Sequence, residues 1–216
     1  MRDAGPSLPL KGTRRAMAHF MALSHAEVVP TTLMDDVDID LWGVESRPTP
    51  RLIRAIAIAS QAEPTLNAWY DGKTMGQRLI PKVDLGLAVD TTDGLFVPVL
   101  RDVANRTAEC LQADIQEIKE KIKQRTIKPE EMHGATFVLS NVGTMAGRYA
   151  SPVILPPTVA ILAAGRIRSA VVPSSEGPPE VHKMLPLSLT FDHRAVTGGE
   201  AARFLSAVMA DLHKAE

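Results

Sequence analysis

The 216-residue sequence carries a formal net charge of −1 at pH 7, with 45% hydrophobic and 23% charged residues, which is ordinary for a soluble globular protein. This length predicts one large domain or at most two small ones. The scattered lysines and arginines exclude a basic stripe for nucleic acid or a polybasic tail for a membrane surface. A membrane span would need roughly 20 consecutive apolar residues, and no stretch approaches that length. The single cysteine, Cys110, excludes an internal disulfide and is typical of a reducing compartment.

The sequence patterns in the first quarter of the chain predict an arm, two helices and a strand. Residues 1–12 contain glycine and proline without periodicity, which predicts a linker or an arm. Apolar residues at helical spacing over 13–25 predict an amphipathic helix rather than a targeting segment. Alternating apolar and acidic residues predict a strand over 33–42 with one wet face. A further helix is predicted over 49–60, with Thr49 as its cap.

The rest of the chain alternates between strand and helix patterns. Two apolar runs around Thr-Thr-Asp-Gly predict a hairpin within 83–100. The longest predicted helix covers 107–126, and its apolar stripe consists of Leu111, Ile115, Ile118 and Ile122. Strands are predicted over 135–140, 158–167 and 184–191. The last helix is predicted over 199–214, with Ala202, Leu205, Val208 and Leu212 buried. These elements indicate one α+β domain with a mixed sheet and helices on one side.

Two short stretches contain residues suited to chemistry. In FDHRAVTGGE, His193 follows an apolar run and precedes a glycine pair; it is either a structural histidine or an imidazole placed for proton transfer. In LSNVGT, Ser140 ends a predicted strand, and the stretch by itself indicates a turn. The absence of a nucleophile elbow argues against Ser140 as a nucleophile. The other histidines are dispersed without ligand spacing, so no metal site is expected.

Longer motifs carry a specific resemblance. FDHRAVTGGEAARFL, LGLAVDTTDGLFVPVL, FVLSNVGT and PPTVAILAAGRI resemble the catalytic domain of the lipoamide acyltransferases, the core component of the 2-oxoacid dehydrogenase complexes. The resemblance implies an α+β fold shared with chloramphenicol acetyltransferase, in which a mixed sheet is flanked by helices. It also implies a trimer, and in many members a cube of eight trimers. Residues 13–216 are then the acyltransferase domain and residues 1–12 the arm that crosses to a neighbour.

The same resemblance implies roles for individual residues. His193 is the expected general base that takes a proton from the thiol of coenzyme A, and the thiolate then attacks an acyl thioester on dihydrolipoamide. Ser140 is the expected donor that stabilises the oxyanion of the tetrahedral intermediate. In the family the histidine and the serine-bearing loop come from neighbouring subunits. Substrate-binding or coenzyme A-binding positions are expected at Asn141, Gly143, Leu95 and Val97.

Two departures from the family pattern leave alternatives open. Thr197 stands where the family has Asp or Asn; threonine can hydrogen-bond but cannot anchor Arg14 or Arg15 as a carboxylate does. Thr197 is kept as a candidate site residue, and it also raises the alternative of a structural core scaffold with weakened catalysis. Between strand and helix, residues 43–49 are shorter than the family's connection, which includes an additional helix. A soluble chloramphenicol-type acetyltransferase is the third alternative.

The resemblance also implies partners. Lipoamide is expected on a separate lipoyl domain, coenzyme A is the second substrate, and no metal is expected. The expected protein partners are lipoyl domains, the decarboxylase and dihydrolipoamide dehydrogenase, with no nucleic acid and no membrane. The chain resembles a catalytic core without lipoyl domains. The expected location is the bacterial cytoplasm, or the mitochondrial matrix in a eukaryote, and the expected acyl group is acetyl or branched-chain.

Overall fold

The computed structural model describes residues 5, 8–44, 46–92, 94–143, 147–174 and 177–215. The helices in these ranges are α1 (Gly12–Glu27), α2 (Pro48–Ala62), α3 (Ala108–Lys123) and α4 (Gly198–Leu212). The strands are β1 (Pro30–Asp38), β2 (Ala68–Asp71), β3 (Gly76–Leu79), β4 (Leu85–Thr91), β5 (Gly94–Phe96), β6 (Val99–Leu100), β7 (Phe137–Asn141), β8 (Ala160–Ala164), β9 (Arg168–Val172) and β10 (Glu180–Asp192). Within the described residues, none of the helices is both long and apolar enough to cross a membrane.

An eight-stranded mixed sheet organises the fold. Its order is β1-β10-β8-β7-β4-β5, while β6 pairs with β4 and β9 pairs with β10. The neighbours β4, β7 and β8 are parallel, and β10 runs antiparallel to both β1 and β8. The apolar run 184–191 predicts a central strand, and this prediction is confirmed because β10 has a partner on each side.

The main hydrophobic core lies between one face of this sheet and helices α2, α3 and α4. Helix α3 shows how local sequence sets the packing. The hydroxyl of Thr107 accepts a hydrogen bond from the N–H of Cys110 at 3.3 Å and caps the helix. The four buried residues of α3 are those of the predicted stripe, Leu111, Ile115, Ile118 and Ile122.

The predicted bounds of the first strand are wrong. Strand β1 begins and ends earlier than the predicted range 33–42. The carboxylate of Asp38 accepts from the N–H of Asp40 at 2.9 Å, and the N–H of Trp42 donates to the carbonyl of Ile39 at 3.0 Å. These two bonds form a turn, so the alternating pattern continues past the end of the strand without extending the pairing.

The predicted cap of α2 and one predicted core position of α4 are also wrong. Helix α2 begins at Pro48 with Arg47 as its N-cap, because proline fits the first helical position; Thr49 lies inside the first turn. In α4, Ala202 is exposed and Ala201 is buried, because the face that meets the sheet passes through Ala201 and Phe204.

Three strands lie outside the predicted pattern. The hairpin of β2 and β3 pairs Ala68 with Leu79 and forms a separate two-stranded sheet. Strand β9 pairs with the first part of β10, which therefore extends further toward the N-terminus than predicted. Both additions lie at the periphery of the main sheet, where apolar periodicity is weak and the strand signal is correspondingly weak.

Candidate active site

The carboxyl ends of the parallel strands β4, β7 and β8 lie on the same side of the sheet, which we call the serine end. Ser140 lies near the end of β7, half-buried, and pairs with Ala88 of β4 and Ala163 of β8. The pairing on both sides fixes its backbone. The following residue, Asn141, donates from its side-chain amide to the hydroxyl of Thr49 at 3.4 Å and so ties the serine strand to α2.

A cavity of about 230 Å³ opens beside this strand end. Asn141 and Gly143 line it, together with Gly165, Arg166 and the first turn of α2. A Cβ atom on Gly143 would collide with the carbonyl oxygen of Gly165, so only glycine allows the two loops to approach this closely. The structure therefore places two of the predicted binding residues at the rim of one cavity, adjacent to Ser140.

The other two predicted binding residues lie on or beside β5, at the same end of the sheet. Leu95 pairs with Asp90 of β4, and its side chain is 40% exposed. Val97 is half-buried and packs against a small cluster that contains Val138 and Ile161. Leu95 is thus available at the surface, whereas Val97 supports the sheet beneath it.

Ion pairs anchor the segment that follows the serine strand. The carboxylate of Asp36 on β1 accepts from Arg148 at 2.5 Å and from Arg168 at 2.6 Å. Burial opposes ionisation of Asp36, but the hydrogen bonds from the two guanidinium groups outweigh it and lower its pKa. The residues 144–146 of the predicted loop lie outside the described residues.

His193 lies where β10 ends, at the opposite ends of the strands from Ser140, which we call the histidine end. It directly follows β10, its side chain is exposed, and its ring packs at 5.6 Å against the ring of Phe191. Its backbone N–H donates to the carbonyl of Val29 at 2.8 Å. The histidine is therefore fixed at the backbone and presents its ring to the outside of the isolated chain.

The buried carboxylate of Asp192 holds the turn that carries this histidine. Asp192 is 2% exposed, and its side chain accepts from the N–H of Val29 at 3.3 Å. It also accepts from the backbone N–H of Arg194 at 3.1 Å, and from Nε and Nη2 of that guanidinium at 3.0 and 2.7 Å. Sequence reasoning missed this role of Asp192 and Arg194, although the two opposite charges that flank His193 in the motif are a signal for such an ion pair.

The strand register separates Ser140 from His193 within one chain. Ser140 is level with Ala163, and Ala163 is level with Ser188 on β10. His193 follows Ser188 by five residues, which is about 16 Å along the strand at about 3.3 Å per residue. A base and an oxyanion donor must each lie about 3 Å from the reacting atoms. The two side chains of one chain therefore cannot act on the same thioester.

Thr197 lies at the histidine end, where it is the N-cap of α4. Its hydroxyl accepts from the N–H of Glu200 at 3.3 Å, and the Glu200 carboxylate accepts from the Thr197 N–H and hydroxyl at 2.7 Å each. The side chain is exposed, and this reciprocal pattern is a capping box. These bonds, from the backbone N–H first and then from the hydroxyl, lower the pKa of Glu200.

We expect Thr197→Ala to lower the free energy of unfolding by about 1 kcal/mol, because it removes the cap of α4. The corresponding fall in Tm is about 2–4 °C for a chain of this size. Since the folded-state pKa of Glu200 is lowered, its contribution is present at neutral pH and is lost as the pH falls through that pKa. Thermal unfolding at fixed protein concentration checks this, with Thr197→Ser as the matched control that keeps the hydroxyl. Equal Tm values for the alanine and serine variants would contradict it.

A larger groove, of about 940 Å³, lies between α2 and α3. Arg47, Arg51 and Arg54 of the α2 segment face Gln112 and Gln116 of α3 across it. None of the predicted site residues lines this groove.

Comparison with known proteins places the chain in a family. A sequence model of the family "2-oxoacid dehydrogenases acyltransferase (catalytic domain)" matches residues 43–216. The dihydrolipoyllysine-residue acetyltransferase component of the pyruvate dehydrogenase complex of Buchnera aphidicola subsp. Acyrthosiphon pisum is 36% identical over 166 residues. That match covers 75% of this chain and 41% of the relative, so the chain spans less than half of that relative's length.

Solved structures agree with this match. The dihydrolipoamide acetyltransferase of Azotobacter vinelandii is 28% identical with a TM-score of 0.90, over 97% of this chain and 91% of that one. Its crystallographic and enzymatic study concerns a serine, a histidine and an asparagine in the catalytic mechanism, the asparagine four positions after the histidine. The cubic core of a pyruvate dehydrogenase multienzyme complex is 28% identical with a TM-score of 0.92, over 99% and 93% of the two chains.

The fold extends beyond this family. A chloramphenicol acetyltransferase aligns with a TM-score of 0.57 at 10% identity, over 90% of this chain and 94% of that one, which shows a shared fold alone. The predicted α+β, chloramphenicol-acetyltransferase-like architecture is therefore confirmed. Because the family model covers most of the chain, the protein belongs to the 2-oxoacid dehydrogenase acyltransferase family and corresponds to its catalytic domain.

Proposed function

We propose that the protein transfers an acetyl group between dihydrolipoamide and coenzyme A, as the catalytic core of a 2-oxoacid dehydrogenase complex. The observation that carries this proposal is the family match over residues 43–216, which includes both the His193 and the Ser140 motifs. Acetyl is favoured over a branched-chain group because the matched relative is an acetyltransferase component. Residues 13–216 form the acyltransferase domain in this proposal.

In the proposed reaction His193 acts as the general base. A thiol with an ordinary pKa of about 8.5 is mostly protonated at neutral pH, so a nearby imidazole favours the thiolate. His193 takes the proton of the coenzyme A thiol, and the sulfur attacks the thioester carbonyl. Ser140 donates a hydrogen bond to the oxyanion, and collapse of the intermediate expels the dihydrolipoamide sulfur, which takes a proton back from the imidazolium. In this proposal Asn141 and Gly143, which line the cavity beside Ser140, and Leu95 on β5 would contact coenzyme A or the acyl group.

We propose that each site forms between two copies of the chain. The separation of the serine end from the histidine end supports this arrangement, because neither end holds both groups. A trimer would place the His193 of one subunit opposite the Ser140 of the next, and cubic assembly of eight trimers is the corresponding larger form. Thr197 would then lie near the shared site, at the position of the asparagine in the Azotobacter enzyme.

The exposed apolar residues of α1 support association. Met17, Phe20 and Leu23 are 39%, 51% and 38% exposed, and they repeat at helical spacing. Leu8 and Leu10 extend the same exposed apolar segment toward the N-terminus. Several exposed apolar side chains on one segment favour a protein interface over contact with water. The arm and α1 would therefore pack against a neighbouring subunit.

The remaining parts of the proposal concern partners and location. Lipoamide would arrive on a separate lipoyl domain, and the decarboxylase and dihydrolipoamide dehydrogenase would be the other enzymes of the complex. The proposed location is the bacterial cytoplasm, or the mitochondrial matrix if the source is a eukaryote.

Acyl transfer from acetyl-CoA to free dihydrolipoamide tests the function directly. We expect the purified protein to form S-acetyldihydrolipoamide from acetyl-CoA. The rate of this transfer should exceed the rates of acyl transfer from isobutyryl-CoA and from succinyl-CoA. Faster acetylation of chloramphenicol than of dihydrolipoamide would contradict the proposal.

A second candidate function is a core scaffold with weakened catalysis. Thr197, at the position of the family's Asp or Asn, favours it. A trimer without measurable turnover would support it.

A further inference from the structure

The structure links the turn that carries His193 to the hairpin of β2 and β3 through one arginine. The guanidinium of Arg194 lies over the ring of Tyr70, with Cζ 4.8 Å from the ring centroid. Its Nε and Nη2 donate to the buried carboxylate of Asp192. The same side chain therefore contacts an aromatic face and a carboxylate, and its geometry is fixed by both.

The hairpin that provides this aromatic face is itself anchored. The backbone N–H of Tyr70 donates to the carbonyl of Pro157 at 2.9 Å, and the indole N–H of Trp69 donates to the carbonyl of Ala135 at 2.7 Å. These acceptors lie just before β8 and β7, at the histidine end. Tyr70 is half-buried and also packs against the main core. The ring is thus held against the main core by the anchored hairpin.

Space for the guanidinium depends on Gly72 in the same hairpin. A Cβ atom at Gly72 would lie 3.3 Å from Nη1 of Arg194, closer than ordinary van der Waals contact. The arginine therefore fits between the Tyr70 ring and the hairpin backbone. Asp192, which accepts from this arginine, is the residue directly before His193, so the position of Arg194 bears on the backbone of the histidine.

We infer that Tyr70 is a positioning residue for His193, acting through Arg194 and Asp192. The inference rests on the proposed function of His193 as the base. The exposed ring of His193 is held by its contact with Phe191 and by the position of its backbone, and a displacement of about 1 Å can lower turnover by about 100-fold. Tyr70 has no contact with His193 among those described; its effect passes through the contact with Arg194.

Two substitutions at Tyr70 separate the role of the ring from general stability. Tyr70→Leu should lower kcat about tenfold and leave KM for acetyl-CoA and dihydrolipoamide within about twofold, because it loosens the base without removing a substrate contact. Tyr70→Phe keeps the aromatic face and should restore kcat to within about twofold of the unmodified protein. A phenylalanine variant as slow as the leucine variant would overturn the inference, as would a leucine variant with unchanged kcat.

Arg194→Lys covers the case in which Tyr70→Leu unfolds, and a double-mutant cycle tests the coupling of the two residues when both variants fold. Arg194→Lys loses the bidentate contact and the flat face over the ring, so it should lower kcat to a similar degree. If both residues act through one contact, Tyr70→Leu combined with Arg194→Lys should be no slower than Arg194→Lys alone. Fully additive losses would overturn the inference.

Hydrogen exchange followed by mass spectrometry gives a readout that does not depend on activity. Amides of the turn 193–196 should exchange faster in Tyr70→Leu than in Tyr70→Phe, with no change in α3. Equal exchange in the two variants would overturn the positioning role. If the unmodified protein shows no acyl transfer while the exchange difference is present, the proposed function fails, but the positioning of the His193 turn by Tyr70 and Arg194 stands.

Discussion

Replacement of His193 by alanine is expected to lower kcat for acyl transfer by about 10²–10⁴-fold, the usual contribution of a general base. KM should change little, because the imidazole acts on the thiol proton in the transition state rather than holding the substrate. Steady-state kinetics with acetyl-CoA and dihydrolipoamide measure both parameters. The exposed ring of His193 packs on Phe191, so the variant should keep its Tm to within a few degrees.

His133→Ala is the matched control for this variant. His133 is also exposed, but it lies in the loop before β7 and is outside the proposed chemistry. The control should keep wild-type kcat. A His193→Ala protein within about tenfold of wild-type turnover would contradict the role of His193, since a general base contributes more than that.

The second large effect is expected at Ser140. Ser140→Ala should lower kcat and kcat/KM together by about 10²–10³-fold, the typical cost of losing one oxyanion donor. The strand pairing with Ala88 and Ala163 does not depend on the hydroxyl, so the fold should be retained. Steady-state kinetics and thermal unfolding of the same preparations measure the two properties.

Ser60→Ala provides a serine control away from the site. Ser60 donates its hydroxyl to the carbonyl of Ile56 within α2, so its loss removes a helix contact and not an oxyanion donor. This variant should keep wild-type kcat. Turnover by Ser140→Ala equal to that of Ser60→Ala would remove Ser140 from the mechanism.

Elements with strong local patterns could be predicted from the sequence, and α3 shows why. A cap at Thr107 and a stripe from Leu111 to Ile122 depend only on residues within a few turns of one another. The hairpin of β2 and β3 could not be predicted in this way. Its strands are short and β3 is exposed throughout, and its tip contains Met75 at a φ of 51°, which is rare for a residue other than glycine.

The candidate site was only partly accessible to sequence reasoning. His193 and Ser140 stand in motifs that can be recognised from the printed sequence. Their placement at opposite ends of the sheet depends on the order of β7, β8 and β10, which pair over long sequence distances. The contact of Arg194 with Tyr70 has the same origin, because 124 positions separate the two residues and the fold alone brings them together.

The activity of hybrid assemblies tests whether each active site is shared between two copies of the chain. His193→Ala and Ser140→Ala chains are co-expressed in equal amounts with different tags, and assemblies that carry both tags are isolated alongside the total pool. If the site lies between subunits, random trimers should contain intact sites at about one quarter of the wild-type number. We therefore expect about 25% of wild-type turnover for the pool, although each parent protein is nearly inactive. Turnover no higher than that of the two parents, in trimers shown to contain both chains, would contradict it.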